Sequence, residues 1–539
     1  MCWPLIALVG VLWTDTPRPA LTTSQDWPTT RAERTRFAET STYDDVIRFI
    51  EDLAAQGAPI TIEYIGTTTE GRRIPLVIAS RPRIASPAAA KKSGKPIVYI
   101  QGNIHAGEVE GKEAALALLR RYSREPKGVL DKVILLVNPI YNADGNEKFG
   151  PGSRNRPGQN GPDTVGQRAN GQGLDLNRDA IKAESPEMRA ALNAVYNRWD
   201  PQVMLDLHTT NGTRHAYPLT FSPPLNPNTH PAVLALARDQ LLPAVRSQLA
   251  KRKIATFDYG NAERRNDELG WYTYGHEGRY VTNYAGLRNR IGILSEAFVH
   301  LPFAERVRVT EAFVDAVVRW VADHPRLVME ATSKADEEIS EWHALGRDTP
   351  TLGVRFEFAS RGQEPVLLEK APKPGDPRPN GPVRSAMPIR MPVYDRFSAS
   401  AQAQAPTAYL IDPLAKNVVA LLLEHGIRVD RLVEDWEGYA WRFNVTKLSR
   451  AAQAFQGHNL ITLDGQFESG VLKVAPGEYV VRLNQPLGAL AFHILEPQST
   501  DGAAAWGFFG SLLREGQPYP VYKCVEPFRG LTLRVRERP

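Results

Sequence analysis

Four near-continuous apolar runs, "PIVYIQG" (96–102), "KVILLVNPI" (132–140), "QVMLDLH" (202–208) and "IGILSE" (291–296), limit what this chain can fold into. A strand with one wet face alternates apolar and polar residues. A run that is apolar at nearly every position belongs to a strand covered on both faces, and helices on a mostly parallel sheet are the usual cover. Helical patterns stand between and around these runs. "STYDDVIRFIEDLAAQG" (41–57) has helical spacing and a glycine stop, "PEMRAALNAVYNRW" (186–199) opens with proline in its first turn, and "RVTEAFVDAVVRWVADH" (308–324) closes the series. The expected fold is α/β: a mixed, mostly parallel sheet flanked by helices, over residues 40–328.

At 539 residues the chain is too long for one compact core. "KAPKPGDPRPNGPVRSAMPIRMP" (370–392) is rich in proline, glycine and charge, so residues 329–394 read as linker and long loops. Beyond them, "TAYLID", "PLAKNVVALLLEHG" and "IRVDRLV" predict a smaller C-terminal α/β or α+β domain over 395–539. A net charge of +5, with scattered basic residues, gives no footprint for nucleic acid. The two cysteines, Cys2 and Cys524, exclude a cysteine-ligated zinc site, and Cys524 reads as a small buried hydrophobe. "MCWPLIALVGVLW" is apolar for about a dozen residues, too short for a membrane span, and resembles the core of a secretory signal over residues 1–25. Export to the periplasm or the cell exterior is expected, with no membrane span; the oligomeric state is open.

Three of the apolar runs end in residues that can hold a metal or move a proton. The first leads into "NIHAGEVEG" with His105 and Glu108, the second ends in His208, and the third in Glu296. In open α/β sheets, sites form beyond the carboxyl ends of strands. Two His and one Glu suit zinc with a fourth position for water, and a further carboxylate can take a proton from that water. Each piece alone has a plain alternative: a helix-capping acid at Glu108, a satisfied core histidine at His208, a salt-bridge partner at Glu296. "RANGQGLDLNRD" adds Arg168, Asn177 and Arg178, donors matched to a carboxylate and an oxyanion, or else a turn with surface charges.

The ordered set "HAGE", "QRANGQGLDLNR", "LDLH" and "ILSEAF" resembles the zinc carboxypeptidases related to carboxypeptidase A. That resemblance covers residues 40–328 and implies one zinc ion per chain on His105, Glu108 and His208, with Glu296 as general acid/base. It implies Arg168 at the scissile carbonyl, Asn177 and Arg178 on the substrate's free carboxylate, and a mobile tyrosine, Tyr274 or Tyr272, with Tyr274 favoured. Arg154 and Arg156 are rivals to Arg168, and Asp179 stands where many relatives carry Asn. Side-chain selection falls near Tyr280–Asn283, where no acid selects a basic residue; Glu277 is too loosely aligned to assign. Glu110 and His215 read as solvated, His276 and His300 as surface histidines, and "FQGHN" (455–459) as lacking an acid/base partner. The implied activity is zinc-dependent hydrolysis of the C-terminal peptide bond of peptides with a free C-terminus. Alternatives are a zinc amidase on cell-wall peptides or N-acyl amino acids, and an inactive peptide-binding protein.

Overall fold

The computed structural model describes residues 27–342, 350–370, 381, 383 and 385–536. The expected export segment, 1–25, lies outside the described residues. All four apolar runs are strands of one eight-stranded sheet. Its members are β1 (Ile60–Thr67), β2 (Arg73–Ala79), β3 (Ile97–Gly102), β4 (Ile134–Asn138), β5 (Val203–Thr209), β6 (Leu219–Ser222), β7 (Thr256–Asp258) and β8 (Ile291–Ala297). They lie in the order β1-β2-β4-β3-β5-β8-β6-β7. The centre, β4-β3-β5-β8, is parallel, whereas β1-β2, β2-β4 and β8-β6 pair antiparallel. The carboxyl ends of β3, β5 and β8 therefore emerge along a single edge of the sheet.

Side chains alternate across a strand, and here both sets are apolar. Val98, Ile100, Leu135, Val137, Leu205 and Ile293 face a core built with helices Tyr43–Ala55, Glu110–Arg124 and Phe303–Asp323. Their neighbours Tyr99, Leu136 and Met204 face the opposite way, into a cluster shared with Met188 and Tyr284. That second cluster does not stop at the sheet. It continues through Tyr409, Leu490 and Trp506 of the C-terminal region, so the two parts of the chain share apolar packing.

The C-terminal region is a seven-stranded sheet in which Ala408–Ile411 lies between Tyr479–Arg482 and Pro518–Cys524, with helices Lys416–Glu424 and Gly488–Leu495. Its strand pairs are antiparallel, so it is α+β. The expectation of linker and long loops over 329–394 is corrected. That stretch holds most of helix Pro325–Ser340 and the strands Thr351–Ala359, Gln363–Glu369 and Ala386–Tyr394. Ala386–Tyr394 pairs along its length with Gln363–Glu369, and only Val393 and Tyr394 also pair with Trp271 and Tyr272. Pro388 and Pro392 thus precede the point where a second neighbour joins, and their missing N–H groups break no ladder there.

Several residues read as solvated are buried. Glu110 is 1% exposed and pairs with Arg306, itself fully buried, at 3.2 Å, while the Thr209 hydroxyl donates to its other oxygen. His215 is 1% exposed, packed against Phe298 at 4.6 Å, and accepts the Tyr217 N–H. His276 is also buried, against Phe356 and Phe397. His425, fully buried at the junction, accepts the Tyr284 hydroxyl on Nδ1 at 2.8 Å and donates from Nε2 to Ile181 O at 2.9 Å, an arrangement only the neutral ring can make.

Two tests follow from this packing. Burial holds His215 and His425 at about 3, below the ordinary histidine value. The unfolded chain therefore binds more protons than the native one between about pH 6.5 and 3, and stability falls as pH drops through that window. Unfolding free energies from urea titrations should decline with a slope of up to about 1.4 kcal/mol per pH unit for each histidine. Arg306→Met should destabilise the protein by about 3–5 kcal/mol at pH 7, because Glu110 is left buried without its cation.

Candidate active site

The site begins where β3 ends. Asn103 takes a left-handed conformation (φ 66°), and the Glu108 N–H donates to His105 O at 2.9 Å, closing a tight turn that brings the two side chains together. Helix Glu110–Arg124 starts at once and runs against β5. A Cβ on Gly111 would lie 2.7 Å from Leu207 Cβ, so the helix can begin beside His208 only with glycine there.

His105, Glu108 and His208 are buried, and one ligand atom from each lies within 4.8 Å of the others. The two Nδ1 atoms are 3.2 Å apart. Glu108 reaches both rings: Oε1 is 3.1 Å from His105 Nδ1 and Oε2 is 2.9 Å from His208 Nδ1. The Thr209 N–H donates to Oε2 as well, at 3.1 Å. The far nitrogens are also engaged. His105 Nε2 lies 3.0 Å from Asp175 and His208 Nε2 lies 2.6 Å from Asp206. A carboxylate on Nε2 fixes the N–H there and turns the Nδ1 lone pair inward. Two such lone pairs and a carboxylate converging on one point form the donor set of a divalent cation, and two His with one Glu is a zinc set. The residues fit the metal.

The electrostatics agree. Burial would raise the Glu108 carboxyl, but Arg156 and His105 outweigh it and hold it well below the usual range. Burial would lower His208, yet Asp206 and Glu108 pull it well above the ordinary histidine value. A field that favours positive charge at this point favours a metal cation as well.

Glu296, on β8, is the cross-strand neighbour of His208 on β5. It is 7% exposed, and its Oε2 is buried without a hydrogen-bond partner. Burial pushes its carboxyl up, and although His208, Arg156 and Arg168 draw it down, the balance stays above the usual carboxylate range.

Arg168 lies at the triad, with Nη1 3.1 Å from His105 Nδ1 and 3.5 Å from Glu108, anchored by Asp175 at 2.9 Å. Its rival Arg156 is equally close, 3.3 Å from Glu108, and is held by Asn211 and the carbonyl of Thr209. Arg154 is exposed and bonds to Asn155. Asn177 Nδ2 is 3.2 Å from His208 Nε2, and its Oδ1 accepts the Val281 N–H. Arg178 faces the ring of Tyr280 at 4.4 Å. Asp179 is buried and accepts from Ser185 and Lys182, so its charge is spent on its own loop.

The structure does not bring Tyr274 to the triad. Its hydroxyl is taken up by Thr282 at 2.8 Å and Asn283 at 3.4 Å, with its ring edge-on to Tyr280. Tyr272 stacks on Tyr394 in the sheet formed with Ala386–Tyr394, away from the site. Glu277 has one buried oxygen without a partner and lies 3.7 Å from His276.

Sequence reasoning missed the two orienting carboxylates and one tyrosine. Asp206 had a signal: two residues before His208 on a strand, it shares that side chain's face. Asp175 had none, since it meets His105 across 70 residues. Tyr259, whose phenol is raised by burial and by Glu296 and Glu108, was likewise unmarked, whereas Tyr280, marked for side-chain selection, instead stacks on Arg178.

Comparison with known proteins bears on this arrangement directly. Residues 46–291 match the family model described as zinc carboxypeptidase. The chain is similar to carboxypeptidase 2 of Trichophyton tonsurans, 24% identical over 483 residues, covering 84% of this chain and 81% of that one. It is similar to a probable carboxypeptidase 2 of Arthroderma benhamiae, 24% identical over 460 residues, covering 80% and 79%. Among solved structures, a metallo-carboxypeptidase from Pseudomonas aeruginosa aligns at TM-score 0.40 and 16% identity, over 54% of this chain and 70% of that one. Over residues 46–291 the chain carries a domain similar to the zinc carboxypeptidases. It is a hydrolase of the metallocarboxypeptidase class.

The outward carboxylates give a test separate from turnover. Asp206→Asn and Asp175→Asn should each weaken zinc binding by about 10–100-fold, read by competition with a chromophoric chelator.

Proposed function

We propose that the chain removes the C-terminal residue of peptides by zinc-dependent hydrolysis, with one zinc held by His105, Glu108 and His208. The observation that carries this reading is the convergence of two imidazole Nδ1 atoms and a carboxylate, each far nitrogen being tied to its own carboxylate. Zinc, when bound, supplies positive charge that acidifies water and polarises a carbonyl.

The chain's own residues supply the rest. Glu296 is the general base and acid. A buried carboxyl with raised proton affinity is suited to take a proton from water near neutral pH and hand it to the leaving amine. Arg168 stabilises the developing oxyanion, and Arg156, equally near Glu108, is placed to share that task. Arg178 and Asn177 receive the substrate's terminal carboxylate, with Tyr280 fixing the guanidinium by stacking. The sequence resemblance favours Tyr274 as the mobile tyrosine; Tyr280 is the tyrosine that stacks on Arg178. Export is part of the same reading, carried by the apolar run over residues 1–13.

Two measurements test it. Glu296→Gln should retain stoichiometric zinc while turnover falls about 10²–10⁴-fold. Peptides with free C-termini should be cleaved and their amidated counterparts spared, with activity lost to a chelator and restored by zinc. A zinc-loaded enzyme that cleaves neither set would move the assignment to cell-wall peptides or N-acyl amino acids.

A further inference from the structure

The turn that carries Asn177 and Arg178 is a short 3-10 helix, Leu176–Arg178, capped by Asp175. Asp175 holds several groups at once. Its Oδ1 accepts the Asn177 N–H at 2.9 Å and lies 3.0 Å from His105 Nε2, while Oδ2 accepts from Arg168 at 2.9 Å. As a cap residue its own N–H points away from the helix and finds no partner within it. The partner comes from the C-terminal region: Gln456 Oε1 accepts the Asp175 N–H at 2.8 Å, across 281 residues.

Gln456 is built for that position. It takes a left-handed backbone (φ 51°), a conformation that costs free energy in a residue other than glycine and persists where surroundings over-determine it. Its turn is closed by reciprocal bonds between Phe455 and His458. His458 Nε2 is anchored 2.8 Å from Glu184, on the same loop that follows Arg178. A second tie holds the neighbouring wall. Asp501, fully buried, accepts the Arg279 N–H at 2.6 Å and the Trp506 indole N–H at 2.9 Å, and pairs with the Arg279 guanidinium at 2.8 Å. Arg279 immediately precedes Tyr280.

We propose that Gln456 is a positioning residue of the active site: by holding the Asp175 backbone it sets His105 and Arg168, and makes the C-terminal region part of the catalytic unit. The proposal rests on the zinc reading given above. It differs from a purely packing role in what it moves, since the Gln456 side chain acts on the triad through its hydrogen bond to the Asp175 N–H.

The test uses the full chain. Gln456→Asn keeps an amide and a residue tolerant of left-handed backbone, but is one carbon too short to reach Asp175. Gln456→Glu keeps an acceptor oxygen at the original reach. Zinc affinity by chelator competition, kcat and KM on a free C-terminal peptide, and thermal unfolding of the zinc-free protein are measured for each. Gln456→Asn should lower zinc affinity and kcat by about three- to tenfold, leave zinc-free unfolding unchanged, and be largely rescued in Gln456→Glu. Wild-type zinc affinity and kcat in folded Gln456→Asn would overturn the proposal. So would a loss matched by lower zinc-free stability and not rescued by Glu. If Gln456→Asn folds poorly, Gln456→Gly, which keeps the backbone and removes the side chain, makes the same comparison. Absence of zinc binding in the wild type would instead bring down the functional reading, and this proposal with it.

Discussion

Two imidazole nitrogens held 3.2 Å apart, each turned inward by a carboxylate behind it, are the constraint around which this protein is arranged. At that distance the two nitrogens either share a proton or face a common cation. The fold meets the requirement with acids, buried Glu108 in the middle and partly buried Asp175 and buried Asp206 outside, and then with Arg156 and Arg168 to balance those acids. Rigid elements hold each member. His208 and Asp206 share a face of β5, Glu296 stands beside them on β8, and His105 and Glu108 share one closed turn.

Burial this extensive of charge is costly unless each group is paired. The surroundings show how far the pairing extends. Glu110, the first residue of the helix that follows the candidate ligands, is neutralised by Arg306, which reaches from helix Phe303–Asp323. Asp179, next to Arg178, is absorbed by Lys182 and Ser185. Glu296, like Glu277, keeps a buried oxygen without a hydrogen-bond partner, and of the two it is Glu296 that stands beside the candidate ligands. An unsatisfied buried acid beside a metal-ligand set is costly for stability and useful for proton transfer, and that combination marks functional sites.

The C-terminal region belongs to the same arrangement. Its apolar core is continuous with one face of the catalytic sheet, and His425, Gln456, His458 and Asp501 each bond to loops that carry or border site residues. Shared packing brings these polar contacts into register, because a few hydrogen bonds alone would not order two units against each other.

The sheet was legible because strands buried on both faces must be apolar at nearly every position, and a run such as "KVILLVNPI" leaves little else to build. The candidate ligands were legible because a metal draws on few residue types, and two strand ends carried them. The strands within 351–394 were hidden by prolines whose cost vanishes once their N–H groups face no neighbour. Glu110 and His458 were misread because their partners, Arg306 and Glu184, lie 196 and 274 residues away. Tyr274 stood at a plausible spacing, yet Thr282 and Asn283 claim its hydroxyl, and Tyr280 meets Arg178 instead. By itself, then, the amino-acid sequence determined the sheet and the identity of the candidate metal ligands, since local periodicity and donor chemistry are written in neighbouring residues. Only the tertiary structure decided which carboxylates orient those ligands, which arginines and tyrosine line the cleft, and that the end of the chain supports the site. Those are pairings between distant segments, and chain spacing carries no information about them.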